Sequence, residues 1–257
     1  MGIIASIRKL FRKRREIPDI PEDWIITGGA GVTVCVIDSG LPDHPALAGT
    51  IDAGASRNFV WGEDIADQNG HATAVCGVLN YWAPMARIVC VKAAGADGSG
   101  ATTALRLAFE EAAGMKPDIV CCSIGVDAGA SKCLHALGIL EAQGIPVICS
   151  AGNTGAQVRY PGRFAQTIAV GACDARGRRA WFTPSGAEVD CLYPGMAVRT
   201  PWLHGGYAIN NGTSLAAPCA AAVAALWLAW VRRGGDTMPA GAELVAKCRR
   251  ALIQAGA

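Results

Sequence analysis

The most constraining feature of the sequence is a series of short, β-branched apolar runs that alternate with longer amphipathic segments. The first run, residues 31–37, is almost continuously apolar, which is typical of a strand buried on both faces. Similar runs recur at residues 88–91, 119–122, 147–149 and 167–170, and residues 102–113 and 132–143 have helical periodicity. The pattern predicts an α/β fold of three layers, with a mostly parallel central sheet and helices on both faces.

Length and charge indicate one large domain behind a short basic leader. The chain has 257 residues, of which 51% are hydrophobic and 17% charged, so a sizeable buried core is expected. Residues 1–16 carry a net charge of +5, which leaves −3 on the remainder. A body without general basic character does not indicate nucleic acid as a partner. We therefore divide the chain into a leader, residues 1–21, and one large domain, residues 22–257.

The leader has two interpretations. Residues 1–15 combine apolar and basic side chains, so they could form a short amphipathic helix in peripheral contact with a membrane surface. They could equally be a solvated tail. Residues 17–21 contain two prolines, each of which disfavours helix in the residue before it, so an extended segment is expected there.

The eleven cysteines are an odd number and are scattered along the chain, many of them in apolar runs. Free buried thiols in a reducing compartment have this distribution. Their spacing does not match zinc ligands. We expect a cytoplasmic protein, with or without attachment to a membrane surface.

Two polar turns stand where a strand ends or a helix begins. Asp38 follows the first apolar run, where its carboxylate would face the crevice at the carboxyl edge of the sheet. His71 begins an apolar helical segment after a Gly-containing turn. Taken singly, Asp38 is equally compatible with an ordinary Asx turn, and His71 with a structural role.

Two further turns supply an amide and a hydroxyl. Asn153 follows a strand in a Gly-rich turn, where its amide could donate to a developing oxyanion. Ser214 precedes a long Ala-rich run, residues 215–231, which predicts a buried core helix rather than a membrane span. A serine at this position could be a nucleophile at a helix N-terminus, or merely a helix cap. Together the four residues offer a nucleophile, a base, an orienting acid and an oxyanion donor.

Three segments resemble the motifs of a known family. Residues 34–40 (VCVIDSG), 69–77 (NGHATAVCG) and 211–218 (NGTSLAAP) resemble the aspartate, histidine and serine motifs of the subtilisin-like serine proteases, or subtilases. The order Asp, His, Ser along the chain is that of the family. The resemblance covers roughly residues 22–233. Ala72 stands where the family usually has Gly, and Cys219 where it usually has His; neither change removes a catalytic group.

The resemblance implies a subtilisin-like fold and serine endopeptidase chemistry on peptide or protein substrates. In that chemistry Ser214 is the nucleophile, His71 the base and Asp38 its orienting acid, with Asn153 in the oxyanion hole. By the same resemblance, two segments pair with an extended substrate: Gly98, Ser99 and Gly100, and Ser123, Ile124 and Gly125. The segment after His71 lacks the insertion that binds calcium in many relatives, so we expect no metal and no cofactor.

Two residues bear on specificity. Arg159 aligns with the base of the family's S1 pocket, where a small residue is common, and Thr154 occupies a position where some relatives carry an acid. A cation without a nearby anion would favour Glu or Asp at P1; alternatively, Arg159 points to solvent and the pocket stays apolar.

One other class of function remains open, a catalytically impaired subtilase-like protein that binds peptides. A hydrolase with a nucleophile elbow is disfavoured, because no Gly-x-Ser-x-Gly surrounds Ser214.

Overall fold

The computed structural model of the protein describes residues 19–99 and 102–256. The leader up to residue 18, with its predicted membrane contact, lies outside these residues, as does Gly100 of the predicted substrate edge. The division into leader and peptidase domain stays a prediction.

A seven-stranded parallel sheet forms the centre of the molecule, in the order β2-β3-β1-β4-β5-β6-β7. The strands are β1 Thr33–Asp38, β2 Arg57–Asn58, β3 Arg87–Lys92, β4 Ile119–Cys122, β5 Val147–Ser150, β6 Thr167–Cys173 and β7 Cys191–Pro194. The five apolar runs of the sequence are β1, β3, β4, β5 and β6, so the predicted parallel sheet is confirmed.

Six α-helices surround the sheet in the described part of the chain. They are α1 Glu22–Ile25, α2 His71–Trp82, α3 Thr102–Met115, α4 Leu134–Ala142, α5 Thr213–Trp230 and α6 Gly241–Ala255. One buried cluster joins α2, α5 and α6 to one face of the sheet, and a second joins α3 and α4 to the other. Alternate residues of β1 divide between the two clusters, Val36 to the first and Cys35 to the second. The three-layer α/β architecture is therefore confirmed.

Helix α5 is the core helix that the sequence predicts. All of its residues except Ser214 and Trp230 are buried. By length and composition it could cross a membrane, but 89% of its most apolar 18-residue window is covered by the rest of the protein. Its many alanines let the helix lie close to the sheet and to α2, which places its N-terminus at the carboxyl edge of the strands.

The last third of the chain contains elements that the sequence did not predict. β8 Val198–Pro201 and β9 Tyr207–Asn210 form an antiparallel hairpin outside the main sheet. β9 alternates exposed and half-buried residues, and both strands are only four residues long, so neither has the apolar run of a core strand. The hairpin has a functional consequence, because β9 ends just before α5 and delivers the chain to Ser214.

All eleven cysteines are free and buried, as the sequence predicts. Burial raises the pKa of the Cys35 and Cys121 thiols well above the ordinary value, so they remain protonated. The cytoplasmic location inferred from these residues stays a prediction.

Candidate active site

The four candidate residues belong to segments that meet at one edge of the sheet. Asp38 is the last residue of β1, and Asn153 follows β5 by three residues. His71 is the first residue of α2, and Ser214 is the second of α5. Because parallel strands end at the same edge, and both helices start from it, residues far apart in the sequence are brought together there.

Asp38 and His71 form a direct ion pair. Nδ1 of His71 lies 2.7 Å from Oδ1 of Asp38, whose side chain is 1% exposed, while the His71 side chain is 33% exposed. The Ser39 backbone N–H donates to the same carboxylate oxygen at 2.7 Å. Oδ2 of Asp38 is buried and has no hydrogen-bond partner among the described residues. His71 is therefore the principal compensation for the buried charge of Asp38.

The surroundings of His71 favour its charged form. Burial of the ring by itself lowers the pKa of His71, but the charge of Asp38, its hydrogen bond to the ring and the charge of Asp67 together raise that pKa above the ordinary histidine value. An imidazole with this environment can accept a proton and hold it as an imidazolium next to Asp38.

Asp67 is a second carboxylate of the site, and the sequence analysis did not identify it. Its side chain is buried and accepts five hydrogen bonds: from Ser39 Oγ at 2.8 Å, Asn69 N at 3.1 Å, Gly70 N at 2.9 Å, Thr73 N at 2.8 Å and Thr73 Oγ1 at 2.6 Å. These bonds join the residue after Asp38 to the first turn of α2. They fix where the helix that carries His71 begins. The spacing Asp-x-x-Gly-His was the available signal.

The turn into α5 is held by Thr213, another residue that the sequence analysis missed. Thr213 is fully buried. Its N–H and its hydroxyl both donate to Oδ1 of Asn153, at 2.8 and 3.0 Å, and the hydroxyl accepts the Gly152 N–H at 3.0 Å. Since the amide oxygen of Asn153 is occupied in this way, its Nδ2 group is directed away from Thr213 and is available as a donor.

Ser214 and the Asn153 amide face the same small space beside Gly212. A methyl group placed on Gly212 would lie 2.9 Å from Ser214 Oγ and 3.4 Å from Asn153 Nδ2. Gly212 lacks that methyl, so the space beside it stays open between the nucleophile candidate and the amide donor. In the described part of the chain the Ser214 backbone N–H has no acceptor, and at the first turn of a helix such a group favours an anion.

The peptide carbonyl of Ser214 accepts a hydrogen bond from a side chain instead of the usual backbone N–H of the helix. In an α-helix the N–H four residues on would donate to it, but that residue is Pro218, which has no N–H. Ser123, directly after β4, donates its hydroxyl to the Ser214 carbonyl at 3.0 Å. The side chain of Ser123 therefore supports α5, and only its backbone remains for the predicted substrate contact.

The structure does not join Ser214 to His71 by a hydrogen bond. The Ser214 hydroxyl has no partner among the described residues. Catalytic hydrogen bonds are often long before substrate binds, so the two residues remain candidates for one mechanism.

Among the described residues, the two predicted substrate edges differ in their hydrogen bonds: the first is held within the protein, and the second has free N–H groups. In the 95–99 turn, Ala96 O accepts a hydrogen bond from the Asn69 side chain at 3.0 Å, and Gly95 N donates to Ser99 O at 2.8 Å. Across the cleft, the backbone N–H groups of Ile124 and Gly125 form no hydrogen bond within the described part of the chain. Free N–H groups along a strand continuation suit pairing with an extended peptide.

Two residues near the Asn153 turn, Thr154 and Arg159, differ in their contacts. Thr154 is exposed, and among the described residues its hydroxyl accepts only the Ala156 N–H, at 3.3 Å. Arg159 does not point freely to solvent, because its Nε donates to Oδ1 of Asp127 at 2.8 Å. The sequence suggested an acidic P1 preference because Thr154 is not an acid, but it did not indicate that Asp127 would supply an anion to Arg159 from another segment. Asp127 is 32 residues away in sequence and reaches Arg159 only through the fold.

Known proteins share both the sequence and the fold of this chain. The family model described as the Subtilase family matches residues 29–238. Alkaline elastase YaB from Bacillus sp. (strain YaB) is 39% identical over 77% of this chain and 54% of its own length. Subtilisin BL from Lederbergia lenta is 37% identical over 77% of this chain and 76% of its own. The chain thus spans about half the length of the first relative and three quarters of the second.

A solved structure titled as a cold adapted subtilisin-like serine proteinase superposes with a TM-score of 0.72 at 26% identity, covering 85% of this chain and 81% of that one. Because the family model matches most of the chain, the subtilisin-like fold and the resemblance carried by the three motifs are confirmed: the chain belongs to the subtilase family.

Proposed function

We propose that this protein is a serine endopeptidase that cleaves peptide bonds in peptide or protein substrates. The observation that carries the proposal is the Asp38–His71 ion pair at the start of α2, at the same sheet edge as Ser214 and Asn153, which both face the space beside Gly212 at the start of α5. Membership of the subtilase family supports the same reaction.

In the proposed mechanism Ser214 Oγ attacks the carbonyl carbon of the scissile bond, and Nε2 of His71 takes the hydroxyl proton. Asp38 holds the ring through Nδ1 and stabilises the imidazolium that forms. The tetrahedral oxyanion accepts hydrogen bonds from Asn153 Nδ2 and the Ser214 N–H. His71 then gives its proton to the leaving amine, and a water molecule activated by His71 hydrolyses the acyl group on Ser214.

A peptide-binding protein with impaired catalysis is the second candidate. It is favoured by the missing hydrogen bond between Ser214 and His71. The free N–H groups of Ile124 and Gly125 would serve either function.

One experiment separates the two candidates. The full chain and its Ser214→Ala variant are treated with a fluorophosphonate, mapped by mass spectrometry, and assayed on casein. The peptidase proposal predicts one phosphonyl group on Ser214 and hydrolysis that the variant lacks. Binding of casein peptides without labelling or cleavage would establish the second candidate instead.

A further inference from the structure

The proposed substrate pose places the P1 side chain beside the Asn153 turn, because its Cα is bonded to the carbonyl carbon that Ser214 attacks. In that pose the substrate backbone pairs with the free N–H groups of Ile124 and Gly125. The P1 side chain then enters between Gly125 on one side and Gly152 on the other. We call the space between the backbones of these two glycines the P1 slot.

The aliphatic part of Arg159 occupies this slot. A methyl group placed on Gly152 would lie 2.9 Å from Cγ of Arg159, and one placed on Gly125 would lie 3.2 Å from its Cβ and 3.3 Å from its Cδ. The methylene chain of Arg159 is thus in contact with both walls at once. At Gly152, where φ is +104°, the backbone itself also requires glycine.

The backbone around Arg159 is fixed on both sides. Arg159 N donates to Ala151 O at 2.9 Å, while Tyr160 and Val126 exchange two backbone hydrogen bonds of 3.1 and 2.8 Å. Val158, on the other side, is buried. Because these bonds tie the segment to both walls of the slot, the arginine chain cannot leave it by a shift of its own backbone.

The guanidinium group of Arg159 is already paired with a carboxylate of the protein. Nε of Arg159 donates to Oδ1 of Asp127, a residue that is 80% exposed and stands two residues after Gly125. A substrate carboxylate would have to replace Asp127 on the guanidinium and would also need the volume that the methylene chain occupies. The contact weakens the case for an acidic P1 residue that the sequence alone suggested.

We propose that Arg159 and Asp127 together close the P1 slot, so that the enzyme selects substrates with Gly, Ala or Ser at P1. Arg159 excludes long side chains by volume, and Asp127 cancels the charge that would attract acidic ones. The inference rests on the proposed peptidase function and names its substrate class.

The test is kcat/KM on peptides that differ only at P1, carrying Ala, Leu, Gln or Glu. The wild type should prefer Ala to Leu by about 10-fold or more, the usual size of discrimination by pocket volume. Arg159→Ala removes the methylene chain and should lower the Ala-to-Leu ratio about 10-fold. Asp127→Asn keeps the chain in place; it should leave the Ala-to-Leu ratio unchanged and raise the Glu-to-Gln ratio about threefold, since an exposed ion pair is weak.

Arg163→Ala is the matched control, because it removes the same charge four residues away, at a side chain that contacts Gln157, Glu188 and the Tyr160 ring. It should leave both ratios unchanged. Wild-type preference for Leu over Ala, or for Glu over every other peptide, would overturn the proposal without any variant. So would an unchanged Ala-to-Leu ratio in Arg159→Ala. Failure of the peptidase proposal is recognised separately, as no cleavage of any peptide and no fluorophosphonate on Ser214.

Discussion

The N-termini of α2 and α5 face the same edge of the sheet, and both present backbone N–H groups that favour negative charge. At the N-terminus of α2 these groups are taken by a side chain of the protein, because the buried Asp67 accepts hydrogen bonds from the N–H groups of Gly70 and Thr73. In α5 no carboxylate of the described residues bonds to the first turn, and the Ser214 N–H has no acceptor there. The N-terminus of α2, which carries the proposed base, is occupied by an internal acid, whereas in the described structure the N-terminus of α5, which carries the proposed nucleophile, has a free N–H group for the proposed oxyanion.

The largest effect expected from this comparison is at Ser214. Ser214→Ala removes a hydroxyl that has no hydrogen bond in the described structure, so the fold should be retained while peptide hydrolysis falls by about 10⁶-fold, as when a triad nucleophile is deleted. The measurement is kcat on a peptide substrate, with the melting temperature as the control for folding. Equal cleavage by both proteins would show that the nucleophile lies elsewhere.

The next largest effect is expected at Asn153, beside the N-terminus of α5. Asn153→Ala removes the proposed side-chain donor to the oxyanion, and kcat should fall about 100- to 1,000-fold with little change in KM, because the lost bond forms only in the transition state. Asn211→Ala is a useful comparison, since within the described part of the chain its amide oxygen accepts only the Ala197 N–H, at 2.8 Å. If Asn153→Ala acted mainly on KM, the amide would be binding the ground state instead.

At the N-terminus of α2, Asp67→Asn should lower kcat/KM by about 10- to 100-fold, because His71 would be misplaced. It should also change the pH profile. Activity needs neutral His71 and therefore appears as the pH rises through its pKa; since the charge of Asp67 raises that pKa, its removal moves the acid limb to lower pH.

Asp64→Asn, which changes an exposed acid in the preceding loop, controls for net charge and should leave the profile in place. If the acid limb of the pH profile does not move in Asp67→Asn, then Asp67 has only a structural role and does not change the pKa of His71.

The smallest effect is expected at Ser123, whose hydroxyl donates to the Ser214 carbonyl in place of the N–H group that Pro218 lacks. Ser123→Ala removes the replacement hydrogen bond, which should lower the free energy of unfolding by about 1 kcal/mol. Urea denaturation of the variant, compared with Ser131→Ala at an exposed position, measures this difference. An effect no larger than that of Ser131→Ala would show that the bond does not stabilise α5.

Most of the fold was predictable because the central strands are apolar on both faces, and that pattern is local in the sequence. The sequence predicted residues 119–122 as a strand with the bounds of β4, and it placed His71 and Ser214 at the starts of helices. The β8–β9 hairpin was missed because its strands are short and lie outside the main sheet. Several of their side chains are exposed, so the sequence has no apolar run there.

The supporting residues of the site were harder to predict for a different reason. Asp67, Thr213 and Asp127 act through contacts with residues 28 to 60 positions away in sequence, such as Ser39, Asn153 and Arg159. Asp and Thr in polar turns are common, so their residue type carries little information. Only the parallel sheet, which brings the ends of β1, β4 and β5 together, reveals what these residues contact.

If Asp38, His71 and Ser214 act as one unit, the rate of fluorophosphonate labelling of Ser214 depends on the protonation of His71. We expect the labelling rate to rise with pH through a single apparent pKa above the ordinary histidine value, and Asp38→Asn to lower the rate by several orders of magnitude by stabilising the wrong tautomer of His71. A labelling rate that does not depend on pH, or that Asp38→Asn leaves unchanged, would show that the three residues do not act as one unit.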